Sequence, residues 1–219
     1  MQPESKLNSF TQNDYEIVKR EVLYDGFFRM ARYDLRYRLF AGGWSSTVSR
    51  ELMERPSAAG VLLYDPLLDY VVFIEQFRPG ALAHPQSPWL FEIVAGILDP
   101  QKDPQHKNTH KKPEEVAIRE ADEEAGCQVL DLYPICEYFV SPGGSNEYFW
   151  LYCGRVDASY AGGIHGLKDE NEDIRTIILP VDEALILLQE GKIKTAPAII
   201  SLQWLQLNRE WLKQLWQTK

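Results

Sequence analysis

The order of apolar and polar positions divides the chain into two parts. Residues 32–39 read Arg-Tyr-Asp-Leu-Arg-Tyr-Arg-Leu, a strict alternation with the period of a half-buried antiparallel strand. Shorter candidates precede it at 16–24 and 27–30, parted by the turn pair Asp25-Gly26, and another follows Gly42-Gly43 at 44–53. Three or four such strands form a small sheet with little core of its own, which must lean on the main body or on a second subunit. Beyond Pro56 the pattern turns to mixed α/β. Apolar runs at 58–64, 70–77 and 89–95 predict strands, and the polar stretch 99–112, with two prolines, predicts a loop. A helix is expected over 113–125, opened by Pro113 and two glutamates and stopped by Gly126. Further strands are expected at 136–140, 147–156 and 174–179. An amphipathic helix follows at 181–190, and a last helix runs from near Pro197 toward Trp216 on an apolar stripe that includes Trp204, Leu205 and Leu212. The predicted organisation is an N-terminal β-sheet domain over 1–56, with a role in dimerisation considered below, and an α/β domain over 57–219.

Composition narrows the function. The 219 residues carry 23 Lys plus Arg against 32 Asp plus Glu, a formal charge of −9. Such a balance argues against gripping nucleic acid or an anionic membrane through the overall field, yet it allows a small anionic substrate if a divalent cation reverses the sign locally. Three scattered cysteines, Cys127, Cys136 and Cys153, form no CxxC pair. With no apolar leader, they point to reduced thiols in the cytoplasm.

The most informative segment is Arg119-Glu120-Ala121-Asp122-Glu123-Glu124-Ala125-Gly126. At ~100° per residue, Glu124 lies ~40° round the helix from Glu120 and Glu123 ~60° to its other side. Three carboxylates on one face repel each other. They read either as a solvated acidic face, offset by Arg119, or as hard oxygen ligands for Mg²⁺ or Mn²⁺.

This stretch resembles the signature of the Nudix hydrolases, G-x5-E-x7-R-E-U-x-E-E-x-G-U with U apolar. Arg119, Glu120, Glu123, Glu124 and Gly126 match it, downstream of a strand ending in Ala95-Gly96. Two departures stand out: Lys111 replaces the first glutamate, and 22 residues separate Gly96 from Arg119 where the pattern has 13. The extra residues fall in the polar loop around 101–110, which tolerates insertion. The likeness extends along the chain to the ADP-ribose pyrophosphatase branch of the family, through YDGFF (24–28), FIEQFR (73–78), PWLFEIVAG (88–96), SPGGSNE (141–147), GIHGLKDENEDIR (163–175) and LQWLQL (202–207).

That resemblance implies an α/β Nudix fold, a mixed β-sheet sandwiched between helices, with an N-terminal antiparallel β-sheet domain. It implies Mg²⁺-dependent hydrolysis of ADP-ribose to AMP and ribose 5-phosphate, with two or three Mg²⁺ or Mn²⁺ ions held by the Ala95 carbonyl, Glu120 and Glu124, and with Glu123 and Glu172 adding to the shell. Glu170, in an acidic loop, is the implied general base. Arg78 and Arg50, with Arg55 and Glu51 nearby, are the implied phosphate and ribose contacts. Phe27 and Phe28 would hold the adenine, while Ile97, Ser141, Gly143 and Glu147 line the pocket. A cytoplasmic homodimer with exchanged N-terminal domains follows, with no nucleic-acid or membrane partner. The alternatives are a pyrophosphatase for another nucleotide sugar, such as GDP-mannose, and a nucleotide-sugar sensor without turnover. His106 and His110, four apart in the loop, lack a third ligand and read as surface residues.

Overall fold

A computed structural model describes residues 10–98, 112–167 and 171–217. The chain forms two compact units, Met1–Arg55 with Phe139–Glu147 and Pro56–Tyr138 with Tyr148–Lys219. The inserted loop with Lys111, His106 and His110, and the expected base Glu170, lie outside the described residues.

In the smaller unit β1 (Tyr15–Asp25), β2 (Arg29–Tyr37) and β3 (Val48–Glu54) form an antiparallel sheet in that order. The two strands expected at 27–30 and 32–39 are one, because the turn after Asp25 delivers the chain directly into the ladder that pairs Asp25 with Arg29. Only Ala31 is buried among the residues of these three strands. Cross-strand pairs hold the surface instead: Arg20 grips Glu54, which also accepts from the Tyr33 hydroxyl, and Arg32 reaches Glu21 at 2.8 Å. Exposed pairs of this kind add little each. The segment 139–147 lies along β3, where Met53 N–H donates to the Gly144 carbonyl at 2.9 Å and Arg55 N–H to Asn146 Oδ1 at 2.8 Å.

The larger unit is built on an eight-stranded mixed sheet. Its main path runs β10 (Gly163–His165), β11 (Ile174–Pro180), β5 (Tyr70–Phe77), β4 (Ala58–Asp65), β9 (Tyr148–Arg155), β8 (Asp131–Phe139), with β6 (Trp89–Glu92) on β5 and β7 (Val94–Ile97) on β4. Strands β4 and β9 are parallel. Both are apolar but for their last charged residues, Asp65 and Arg155, because both faces are covered. On one face, α2 (Val181–Gln189) and α3 (Ala196–Gln217) enclose Leu62, Phe73 and Leu151; on the other, α1 (Pro113–Ala125) covers Val61, Leu63 and Ile74.

Three departures from the sequence pattern have physical reasons. The run 89–95 is two strands, because the chain changes partner at Ile93, leaving β5 for β4. Strand β8 begins at Asp131, before Pro134; β8 ends the sheet path, and an edge tolerates a residue that cannot donate to a ladder. The Gly-rich stretch 162–166, where the sequence pattern gives no strand, contributes the short edge strand β10.

Helix α3 is fastened through Asp69, which accepts from Tyr64 Oη at 2.8 Å, Lys213 Nζ at 2.8 Å and Arg209 Nε at 2.9 Å. Burial raises the Asp69 pKa, but the Arg209, Lys213 and Tyr64 hydrogen bonds outweigh it and hold the carboxyl down at about 2. A depressed pKa contributes stability above the unfolded value near ~4, lost as pH falls through the folded one. Asp69→Ala, which leaves Arg209 and Lys213 only the exposed Asp182 and Glu210 as partners, is expected to lower unfolding free energy by about 2 kcal/mol at pH 7 in urea titrations, with the difference from wild type shrinking below about pH 4. A loss under about 0.5 kcal/mol would reduce the cluster to a surface ornament.

Candidate active site

Helix α1 turns a narrow face of small residues, Val116, Ala117, Ala121 and Ala125, onto the sheet. Residues at i and i+4 share a face, so Glu120 and Glu124 ride on the margin of this buried stripe. Glu124 is only 4% exposed, and its Oε2 accepts from the Ala95 N–H on β7 at 3.2 Å. Glu120 reaches over Gly96: a Cβ there would stand 1.9 Å from Glu120 Oε1, so any larger residue displaces the carboxylate. Arg119 clamps two of the acids, donating from Nη1 to Glu123 Oε2 at 2.5 Å and from Nη2 to Glu120 Oε1 at 2.6 Å. The helix ends at Gly126, whose left-handed backbone (φ 62°) returns its N–H to the Ala121 and Asp122 carbonyls.

This arrangement is electrostatically unfavourable as it stands. Glu123 and Glu124 occupy the last turn, the negative end of the helix dipole, where cations rather than carboxylates are stabilised. Burial foremost, then the charges of Glu120 and Glu172, push the Glu124 carboxyl up to about 8, against the Ala95 hydrogen bond and Arg78. Glu172 stands on the neighbouring loop, where its Oε2 accepts from Leu167 N–H at 3.2 Å; that loop is tied to the helix by Gly166 N–H donating to the Glu123 carbonyl at 3.3 Å. Arg78, at the end of β5, is held by Glu92 on β6 at 2.6 Å. Ile97 is half-buried at the end of β7.

The donor set fits a hard divalent cation: all oxygen, several carboxylates, no nitrogen or sulfur ligand. Among the described residues no three His, Cys, Asp or Glu side chains are drawn into a closed ligand cage, since Arg119 holds Glu120 and Glu123 while Glu124 turns to the Ala95 N–H.

The remaining expected site residues belong to the smaller unit. Phe27 and Phe28 meet edge to face at 4.8 Å, with Phe27 almost fully exposed. The Arg55 guanidinium lies over the Phe28 ring at 5.0 Å and pairs with Glu147 at 3.3 Å. Burial raises the Glu147 pKa and Arg55 opposes it. Ser141 opens the tight turn through Gly143, its carbonyl accepting from the Gly144 and Ser145 N–H groups at 3.1 and 2.9 Å. Arg50 and Glu51 are exposed on β3, with Arg50 Nη1 on the Ser49 carbonyl at 2.8 Å. Arg55 thus joins Phe28 to Glu147, while Arg50 on β3 turns to the Ser49 carbonyl.

Two residues of the larger unit escaped the sequence reading. Glu92 was hidden in an apolar run, although a lone charge in WLFEIV is itself a signal. Gln76, on the alternating face of β5 between Ile74 and Arg78, is buried with its Oε1 unpartnered among the described residues.

Comparison with known proteins completes the picture. A NUDIX domain family profile matches residues 54–201. The chain is 44% identical to the ADP-ribose pyrophosphatase of Haemophilus influenzae over 215 residues, covering 97% of this chain and 95% of that one. It is 44% identical over 216 residues to the ADP-ribose pyrophosphatase of Escherichia coli K12, covering 99% of both. A GDP-mannose pyrophosphatase of Enterobacter sp. is 32% identical over 197 residues, covering 88% of this chain and 95% of that one. A crystal structure of an ADP compounds hydrolase superposes with a TM-score of 0.66 at 21% identity, covering 95% of this chain and 99% of that one, a likeness of fold.

Gly96→Ala is expected to weaken Mn²⁺ binding by about 10- to 100-fold, the range found when a metal ligand loses its support, with the thermal midpoint nearly unchanged. Unaltered binding in a calorimetric titration would remove Glu120 from the cation site.

Proposed function

The chain belongs to the Nudix hydrolase family, and from that premise we propose that it hydrolyses the pyrophosphate bond of ADP-ribose to AMP and ribose 5-phosphate. The observation that carries the reading is the carboxylate margin of α1 over Gly96, in a chain matched end to end at 44% identity by two ADP-ribose pyrophosphatases.

Glu120, Glu124 and the Ala95 carbonyl would hold Mg²⁺, or Mn²⁺, as two or three ions, with Glu123 and Glu172 completing the shell. When bound, the cations supply charge neutralisation at the pyrophosphate and acidify an attacking water. Arg119, bonded to both, offsets the charges of Glu120 and Glu123. Arg78 offers its guanidinium to phosphate oxygens, a geometry to which a planar fork is suited, and Ile97 gives the pocket an apolar wall. Glu170 is assigned the role of general base, taking the proton of the attacking water. A carboxylate of ordinary basicity suffices once the water has been acidified.

The smaller unit is assigned the adenosine end: Phe27 and Phe28 for the adenine, Arg50, Glu51 and Arg55 for ribose and phosphate oxygens, and the turn with Ser141, Gly143 and Glu147 closing the wall. A homodimer with exchanged N-terminal sheets is the proposed assembly. The exposed Ile17, Val18, Leu23 and Tyr24 of β1, in a sheet that buries only Ala31, support it. Among the described residues no helix is long and apolar enough to cross a membrane.

Pure protein incubated with ADP-ribose and Mg²⁺ is expected to yield AMP and ribose 5-phosphate in equal amounts, faster than GDP-mannose is cleaved in the same panel. Glu170→Gln should lower kcat by about 100-fold or more, as removal of a general base does, with KM nearly constant. Preference for GDP-mannose would assign the alternative substrate, and tight binding of ADP-ribose without product would make the protein a sensor.

A further inference from the structure

Strand β6 carries a single charge, Glu92, between Phe91 and the buried Ile93. In a strand, alternate residues share a face. On β5 that rule puts Ile74, Gln76 and, one step past the strand, Arg78 on one side of the sheet, and the pairing of Ile74 with Glu92 puts Glu92 on the same side. Ile74 belongs to the core beneath α1, so Arg78 and Glu92 are on the face that carries the acids of the helix. The two meet diagonally across the hairpin: Arg78 Nε donates to Glu92 Oε2 at 2.6 Å, with the Glu92 side chain 15% exposed and that of Arg78 42%. Among the described residues the Arg78 side chain makes no other hydrogen bond or ion pair, so both terminal nitrogens remain available. The Arg78 charge is also felt at Glu124, which brings the guanidinium within electrostatic range of the acid cluster.

An arginine on a flexible stem beside several carboxylates has a competing destination. If it swings onto Glu120 or Glu124, it is lost to the substrate and it opposes the cation those acids are there to hold. A half-buried carboxylate that engages only Nε prevents this and leaves the terminal fork free for a bidentate contact with an oxyanion.

Resting on the pyrophosphatase reading above, we propose that Glu92 is a positioning residue, which holds Arg78 by Nε so that its terminal fork meets the pyrophosphate oxygens instead of the cation-holding acids. Glu92 touches neither substrate nor cation and acts only through Arg78. Its loss therefore raises KM for substrate and raises the Mg²⁺ concentration needed for half-maximal rate, and both effects vanish when Arg78 is absent.

A double-mutant cycle tests this with Arg78→Ala, Glu92→Ala and the pair, alongside Glu92→Gln, which keeps an acceptor for Nε. With Arg78 present, Glu92→Ala is expected to lower kcat/KM for ADP-ribose about tenfold or more, mainly through KM, and with Arg78 absent to change it less than about twofold, the non-additivity of coupled residues. Glu92→Gln should recover part of the loss, and it keeps the cycle readable if the alanine variant does not fold. An equal loss with and without Arg78 would make Glu92 merely structural and overturn the proposal, as would no loss at all. The same cycle is run on calorimetric binding of inorganic pyrophosphate with Mg²⁺. A wild type that leaves ADP-ribose intact defeats the substrate reading alone, and the pyrophosphate cycle still decides for or against Glu92.

Discussion

The structure turns on one electrostatic conflict: acidic side chains gathered at the negative end of α1, with a single arginine of that helix to hold them. The helix would be more stable with lysines there. What keeps the acids in place is packing. The alanines of the inner face let α1 lie close on the sheet, Gly96 clears the space under Glu120, and the Ala95 N–H gives Glu124 a partner as it is buried. The Arg119 clamp spans two carboxylates, Glu120 and Glu123. Local stability is surrendered along this margin of the helix, the pattern expected when a site breaks the rules the rest of the sequence obeys.

The same conflict gives the net charge a location. Much of the acidic excess falls on the 114–124 and 169–173 stretches. On the proposed function, an anionic nucleotide sugar would meet repulsion there until divalent charge is added, so cation binding would come before substrate affinity. The larger unit supplies countercharge from its own side chains: Arg119 pairs with Glu120 and Glu123, and Arg78, which pairs with Glu92, acts on Glu124 through its charge.

Much of this was legible in the sequence, and the parts that were not share a cause. Helix α1 reads to the residue because its limits are local: Pro113 fixes the first turn and Gly126 the last. Strands β4 and β5 read clearly because continuous apolar runs announce double-sided burial. The break at Ile93 did not, because it depends on which neighbour the chain pairs with, and no local pattern encodes that choice. Strand β8 was read too short for a related reason: Pro134 looks like a breaker until the strand is known to lie at the end of the sheet path. Helix geometry put Glu120, Glu123 and Glu124 on one face, but left open whether that face is solvated or holds a cation, and only the resemblance chose between them; the partner of Arg78 could be found only through the register of β5 and β6. The roles of Phe27, Phe28, Arg50 and Glu51 came from resemblance, since an exposed aromatic or arginine on a small sheet has no local pattern that marks it for a nucleotide.

The central claim is that the buried Glu124 carboxyl, pushed up to about 8 by burial and by its acidic neighbours, is kept for a divalent cation. At neutral pH this group is mostly protonated, so a cation must displace the proton to bind. Calorimetric titration of Mg²⁺ into metal-free protein at pH 7, in two buffers of different ionisation enthalpy, measures that displacement directly. The account predicts release of about one proton per protein chain, declining above the Glu124 pKa and absent in Glu124→Gln. Heats that do not depend on the buffer, with undiminished binding in Glu124→Gln, would contradict it.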